Sequence, residues 1–124
     1  IVNPMIVEGQ LDGGAVQGLG QALLEGLVYD AESGQLVTGS LMDYAAPRAD
    51  IMPQMFHTLT NQTVPSTNNV LGVKGVGELG TIGATPCVVN AVADAFARNG
   101  RGPQASKIQM PMTPFRLWEQ LQGL

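Results

Sequence analysis

Cysteine is nearly absent: the 124 residues hold one, Cys87. A single cysteine excludes an internal disulfide and points to a reducing, cytoplasmic compartment. Charge is scarce as well. Charged residues make up 13% of the chain, against about 25% in a usual soluble domain. So weakly charged a surface implies that much of it meets other protein; a glycine-rich, weakly charged free domain is the plain alternative. There is no basic block and the net charge is −4, which argues against a nucleic-acid partner. No apolar run approaches the roughly 18 residues of a membrane span, and no signal peptide is visible. The chain opens on Ile1 rather than methionine, so it reads as a piece of something longer.

A chain of this length suits one domain, residues 1–124, with no internal boundary. Such a domain can bury roughly two-thirds of its unfolded surface, and 44% hydrophobic residues suffice for a core. The 16 glycines and 8 prolines punctuate the chain without forming a repeat.

Val16, Leu19, Leu23, Leu24 and Leu27 recur at helical spacing, which predicts a helix from Asp12 as N-cap to Leu27. Gly14, Gly18 and Gly20 inside it each cost about 1 kcal/mol against alanine. Their presence implies a close approach of backbone to a packed element or a ligand. LVYD and QLVTGSLMDY around AESG read as a hairpin, and Met52 to Thr60 as a further strand. Thr85-Pro86 reads as the start of a second helix that ends before Gly100, with Val88, Val89, Val92, Ala95 and Phe96 on its apolar face. KIQMPM is a short extended piece, and Thr113-Pro114 opens a closing helix. The expected class is α+β, about three helices with a few strands.

The stretch GVKGVGELGTIGATP, residues 72–86, contains Gly75-Val76-Gly77-Glu78-Leu79-Gly80, a G-x-G-x-x-G pattern. A dinucleotide loop needs a strand before it, a helix directly over it and an acid about 20 residues on. Here the expected helix starts five residues late, Asp94 falls mid-helix, and Glu78 would set negative charge beside a pyrophosphate. Glycines around a carboxylate serve another purpose better. They let backbone lie close to a ligand, while Val76, Leu79 and Ile82 lower the local polarity. Low polarity disfavours a charged carboxylate and raises its pKa, which suits a general base near neutral pH. An exposed loop glutamate is the plain alternative.

The block GVKGVGELGTIGATPCVVNAVADA resembles the C-terminal signature of the molybdenum hydroxylases, the xanthine oxidase, aldehyde oxidase and aerobic carbon monoxide dehydrogenase family. IVNPMIVEGQLDGGAVQGLGQALLEGLVYD resembles the preceding cofactor-binding segment, and DYAAPRAD and MPMTPFRLWEQL are similar to family pieces in the family's order. The resemblance covers essentially the whole chain, and implies the C-terminal portion of a molybdopterin-binding large subunit.

On that resemblance the catalytic glutamate is Glu78, and Gln10 hydrogen-bonds near the metal's oxygen ligands. Lys74, Gly75, Val76 and Gly77 line the pterin, and no residue is assigned as a metal ligand. The implied reaction is oxidation of an aldehyde, N-heterocycle or related small substrate with water-derived oxygen, Glu78 taking the proton. The implied cofactor is the molybdenum-pterin group, molybdopterin or its cytosine dinucleotide form. Iron–sulfur clusters and FAD sit on partner subunits or domains. The implied partners are the remainder of the large subunit, the iron–sulfur and flavin subunits and a small-molecule substrate, in an oligomer with no nucleic acid and no membrane span. A non-catalytic split domain acting as an interaction or scaffold piece is the alternative reading.

Four further positions draw attention. His57, in an expected strand, has no cysteine, histidine or acid at metal-ligand spacing and reads as structural. Cys87 lies near the expected start of the second helix, where a thiolate is stabilised, but a small packing residue is the plainer reading. Gln17 faces either the cofactor or solvent. Asp43 and Arg48 read as a structural pair.

Overall fold

A computed structural model of the chain describes residues 1–52 and 57–123. Among the described residues the architecture is helical: α1 Pro4–Leu23, α2 Leu79–Arg98, the short α3 Gly102–Ala105 and α4 Pro114–Gln122, with a 3-10 turn at Ala49–Ile51.

The first helix begins earlier than its apolar spacing indicates. Asn3 is the N-cap, its side-chain oxygen accepting the Ile6 N–H at 3.2 Å, and Pro4 fills the first helical position. Asp12 is therefore interior, and its carboxylate accepts the Thr58 hydroxyl at 3.0 Å. The helix stops at Leu23 rather than Leu27, where the Gly20 carbonyl accepts both the Leu24 and the Glu25 N–H.

The second helix also starts early, at Leu79, and carries Pro86 in its interior. Proline supplies no N–H for the bond to the fourth residue back. The Thr85 hydroxyl beside it turns across to α1, 3.5 Å from the Gly18 carbonyl. The expected end is met: Asn99 is the C-cap and Gly100 follows at φ +74°. By length and composition α2 is long and apolar enough to cross a membrane, a test that core helices of soluble proteins also pass. In α4 the expected start is met, with the Thr113 hydroxyl accepting the Arg116 N–H at 3.4 Å.

The expected strands do not form among the described residues. The hairpin around AESG reduces to one antiparallel bridge, Tyr29 with Leu36, and a turn in which Asp30 accepts from Ser33. An isolated two-stranded hairpin is marginal without further strands or a helix to pack on, and no further strand forms among the described residues. Of the strand expected over 52–60, residues 53–56 lie outside the described residues, and 57–60 are irregular.

The two long helices meet backbone to backbone. A Cβ on Gly14 would stand 3.0 Å from Gly80 Cα, and one on Gly80 would stand 2.5 Å from the Leu11 carbonyl oxygen. One turn on, a Cβ on Gly18 would meet Ala84 Cβ at 2.6 Å. Gly14 and Gly18 thus answer to a packed helix, while a Cβ on Gly20 would meet Pro47 Cγ at 2.8 Å. The C-terminal segment closes the far end of the seam, where the Met112 N–H donates to the Ala22 carbonyl at 2.7 Å and Met112 is 1% exposed.

Candidate active site

The near end of the seam carries the glycine loop. Asn69 clamps the approach to it: its Oδ1 accepts the Val73 N–H at 3.0 Å and its Nδ2 donates to the Val73 carbonyl at 2.9 Å. Lys74 follows, and its ammonium donates to the Val64 carbonyl at 2.6 Å, so the base of the loop is tied to residue 64. Past this point, the backbone N–H groups of Gly75, Val76, Gly77 and Glu78 find no acceptor among the described residues. Glu78 is the N-cap residue of α2, but its side chain makes no capping bond and is exposed.

Gln10, 68 positions before Glu78, comes to the same place. Its Oε1 lies 3.5 Å from where a Cβ on Gly77 would stand, so the glycine leaves room for the amide immediately before Glu78. Nothing lies within 4 Å of a Cβ built on Gly75. The site therefore joins an amide, a run of free N–H donors and a carboxylate on an open ledge. Lys74 is adjacent in sequence, but its charge is held at Val64.

The low-polarity surroundings expected for Glu78 are not supplied by this chain. Leu79 and Ile82 are exposed, as is the carboxylate, because nothing among the described residues covers the end of the seam. The helix-offset objection to a dinucleotide also needs correction, since α2 starts right at the loop. The other objections stand on geometry. No strand precedes the loop among the described residues. Asp94 is mid-helix and pairs with Arg98 at 2.6 Å. Gly80 packs against a helix rather than a strand.

Elsewhere the expectations divide. Gln17 is exposed, as its solvent-side reading expects, and its Oε1 also lies 3.0 Å from the Thr81 hydroxyl. Arg48 pairs with Asp50 at 3.1 Å rather than with Asp43, which accepts from Ser40. Cys87 lies well inside α2 and is exposed, so it is neither at a helix start nor packed. His57 is exposed outside any strand. Sequence reasoning misses Thr81 and the cross-helix contact of Thr85. Their four-residue spacing matches that of Gly14 and Gly18, which was the available signal.

A family model described as a molybdopterin cofactor-binding domain matches residues 1–53. Over its full length the chain is 40% identical to the nicotine 6-hydroxylase large subunit of Paenarthrobacter nicotinovorans, covering 14% of that protein. It is 40% identical over 97% of its length to the carbon monoxide dehydrogenase large chain of Hydrogenophaga pseudoflava, again 14% of the relative. The chain belongs to the molybdenum hydroxylase family. Solved structures agree. A Cu,Mo-CO dehydrogenase superposes with a TM-score of 0.79 at 38% identity, covering 98% of this chain and 14% of that one. Quinoline 2-oxidoreductase from Pseudomonas putida 86 gives 0.78 at 41% identity, covering 98% and 15%. The chain thus spans about one-seventh of the length of the curated relatives it matches. The donor set of this molybdenum hydroxylase segment fits the family's cofactor: free N–H groups and a neutral amide suit an anionic, heteroatom-rich pterin better than side-chain metal ligands would.

Proposed function

We propose that the chain is the part of a molybdenum-dependent hydroxylase or dehydrogenase that presents Glu78 as the general base. Gln10, Lys74, Gly75, Val76 and Gly77 contact the molybdenum-pterin cofactor, as molybdopterin or its cytosine dinucleotide. The substrate is an aldehyde, an N-heterocycle or a related small molecule, oxidised with oxygen from water. Two relatives named above for nicotine and quinoline support the N-heterocycle class. Electrons leave through iron–sulfur clusters and FAD on partner subunits.

The observation that carries this reading is the meeting of Gln10 with Gly77 beside Glu78. When bound, the molybdenum-pterin group supplies two-electron redox chemistry. The loop N–H groups donate to its anionic heteroatoms, and the Gln10 amide fixes orientation at the edge nearest Glu78. A Glu78 carboxylate oxygen takes the proton of the water-derived nucleophile. The exposed ledge gives the carboxylate access to substrate, and the remainder of the subunit excludes water from it.

Glu78→Gln in the complete large subunit tests the assignment, because it keeps size and most hydrogen bonding but cannot accept the proton. The substrate is the aldehyde or N-heterocycle that the wild-type enzyme turns over fastest. Turnover is expected to fall by about 10²–10⁴, a barrier increase of about 3–5 kcal/mol, at unchanged molybdenum content by elemental analysis. Near-normal turnover at full loading removes Glu78 as base. Loss of the metal makes its role cofactor-holding. A wild-type enzyme that oxidises neither substrate class overturns the reaction itself.

A further inference from the structure

Gln10 and Glu78 sit on different helices, so their spacing depends on the register of α1 against α2. Each is one turn from the same cross-helix bond. Thr81, three residues past Glu78, places its hydroxyl 3.0 Å from the Gly14 carbonyl, four residues past Gln10. The same oxygen is 3.0 Å from Gln17 Oε1. One hydroxyl has one hydrogen, so it donates to one of these two oxygens at a time, and of the two only the Gly14 carbonyl is fixed in the backbone of α1. Glycine contacts alone let the helices approach. They give no directional term, and two smooth backbones can slide along each other. A hydrogen bond at one turn has direction, and it pins the slide.

We propose that Thr81 is a positioning residue: its hydroxyl ties the first turn of α2 to the Gly14 carbonyl of α1 and thereby sets the spacing of Glu78 and Gln10. The inference rests on the assignment of Glu78 as base. Thr85 stands one turn further from the ledge, with its hydroxyl 3.1 Å from Gln21 Oε1, 3.5 Å from the Gly18 carbonyl and 3.3 Å from the Thr81 carbonyl of its own helix. It provides an internal control of the same chemistry at greater distance and longer range.

The test uses the complete, cofactor-loaded enzyme with Thr81→Val, Thr81→Ser, Thr85→Val and Glu78→Gln in parallel. Thr81→Val is expected to lower kcat by on the order of tenfold or more, since small misplacements of reacting groups are costly. KM and molybdenum content stay at wild-type values. Amide hydrogen exchange should rise locally, at residues 78–82 and 10–14. Thr81→Ser is expected to restore both readouts, and Thr85→Val to cost clearly less. Wild-type kcat and exchange in Thr81→Val overturn the proposal, as does an equal loss in Thr85→Val or a loss of molybdenum. If Thr81→Val does not fold, Thr81→Ala removes the same hydroxyl with less bulk at the seam. A fall in kcat at constant KM supports the role, and an unchanged kcat overturns it. Glu78→Gln separates the two readings. An active Glu78→Gln enzyme removes the base, whereas an inactive one beside a fully active Thr81→Val enzyme removes only the positioning role.

Discussion

Asp30 shows what a single exposed side chain can hold in this molecule. Its carboxylate accepts the Ser33 hydroxyl at 2.6 Å and the Ser33 N–H at 2.8 Å. These bonds favour the charged form, and they lower its pKa from the ordinary 3.8, the Ser33 hydroxyl most of all. A carboxylate with a depressed folded pKa stabilises its turn fully above the unfolded value and loses that contribution as pH falls through the folded one. The turn at 30–33 is therefore expected to persist through pH 4 and loosen below it. Ser33→Ala should move the Asp30 titration, followed by NMR, back toward 3.8. An unchanged titration would show that the turn is not formed in solution. Glu78 offers the contrast. Both carboxylates are exposed, yet only Asp30 has its donors within its own turn. The candidate base was legible because its neighbours are glycines in a multi-part family pattern. Gln17 was not, because a glutamine on a helix reveals its partner only when the opposing helix is placed.

At the scale of elements, the glycines of α1 divide into two kinds that sequence does not separate. Gly13 has nothing within 4 Å of a built Cβ, whereas Gly18 would strike Ala84 Cβ at 2.6 Å and the Thr85 nitrogen at 2.9 Å. Replacing an open helical glycine by alanine gains up to about 1 kcal/mol in helix propensity. At Gly18 the same gain is outweighed by overpacking, typically about 1–3 kcal/mol. Gly13→Ala is thus expected to raise the apparent melting temperature of the large subunit, and Gly18→Ala to lower it. The same sign for both in a thermal-shift measurement would contradict the packing of α1 on α2. The element boundaries follow a similar logic. Thr113-Pro114 was read correctly as cap and first turn, and Asn3-Pro4 uses the same device for α1. Thr85-Pro86 looks identical in sequence but lies inside α2, because the Thr85 hydroxyl is engaged across the seam. The signal is local, and the outcome is decided by the neighbouring helix.

The whole molecule exposes too much surface for its mass. A compact 13.0 kDa monomer should expose about 6,300 Å² and its unfolded chain about 18,900 Å². The chain exposes 9204 Å², so it buries about half of its unfolded surface rather than two-thirds. The excess of about 2,900 Å² is on the scale of an obligate interface rather than a transient encounter. Large apolar side chains contribute to it: Leu41, Met42, Leu59 and Val70 are each more than 80% exposed. The buried hydrophobic residues are few among those described, namely Ala15, Ala22, Phe96 and Met112. The sparse charge of the sequence has its meaning here, since a surface made to be covered by protein needs little of it. On the function proposed above, the remainder of the large subunit covers the open side of α2. The 124 residues produced alone are accordingly expected to bind the dye ANS strongly, to associate at micromolar concentration and to carry no stoichiometric molybdenum. Dye fluorescence, light scattering and elemental analysis read the three outcomes. A monomeric chain that leaves the dye dark would show a self-sufficient domain and favour the scaffold alternative. Stoichiometric metal in the isolated chain would show that Gln10 and the 74–78 loop hold the cofactor without the rest of the subunit, and that the open ledge is already a complete site.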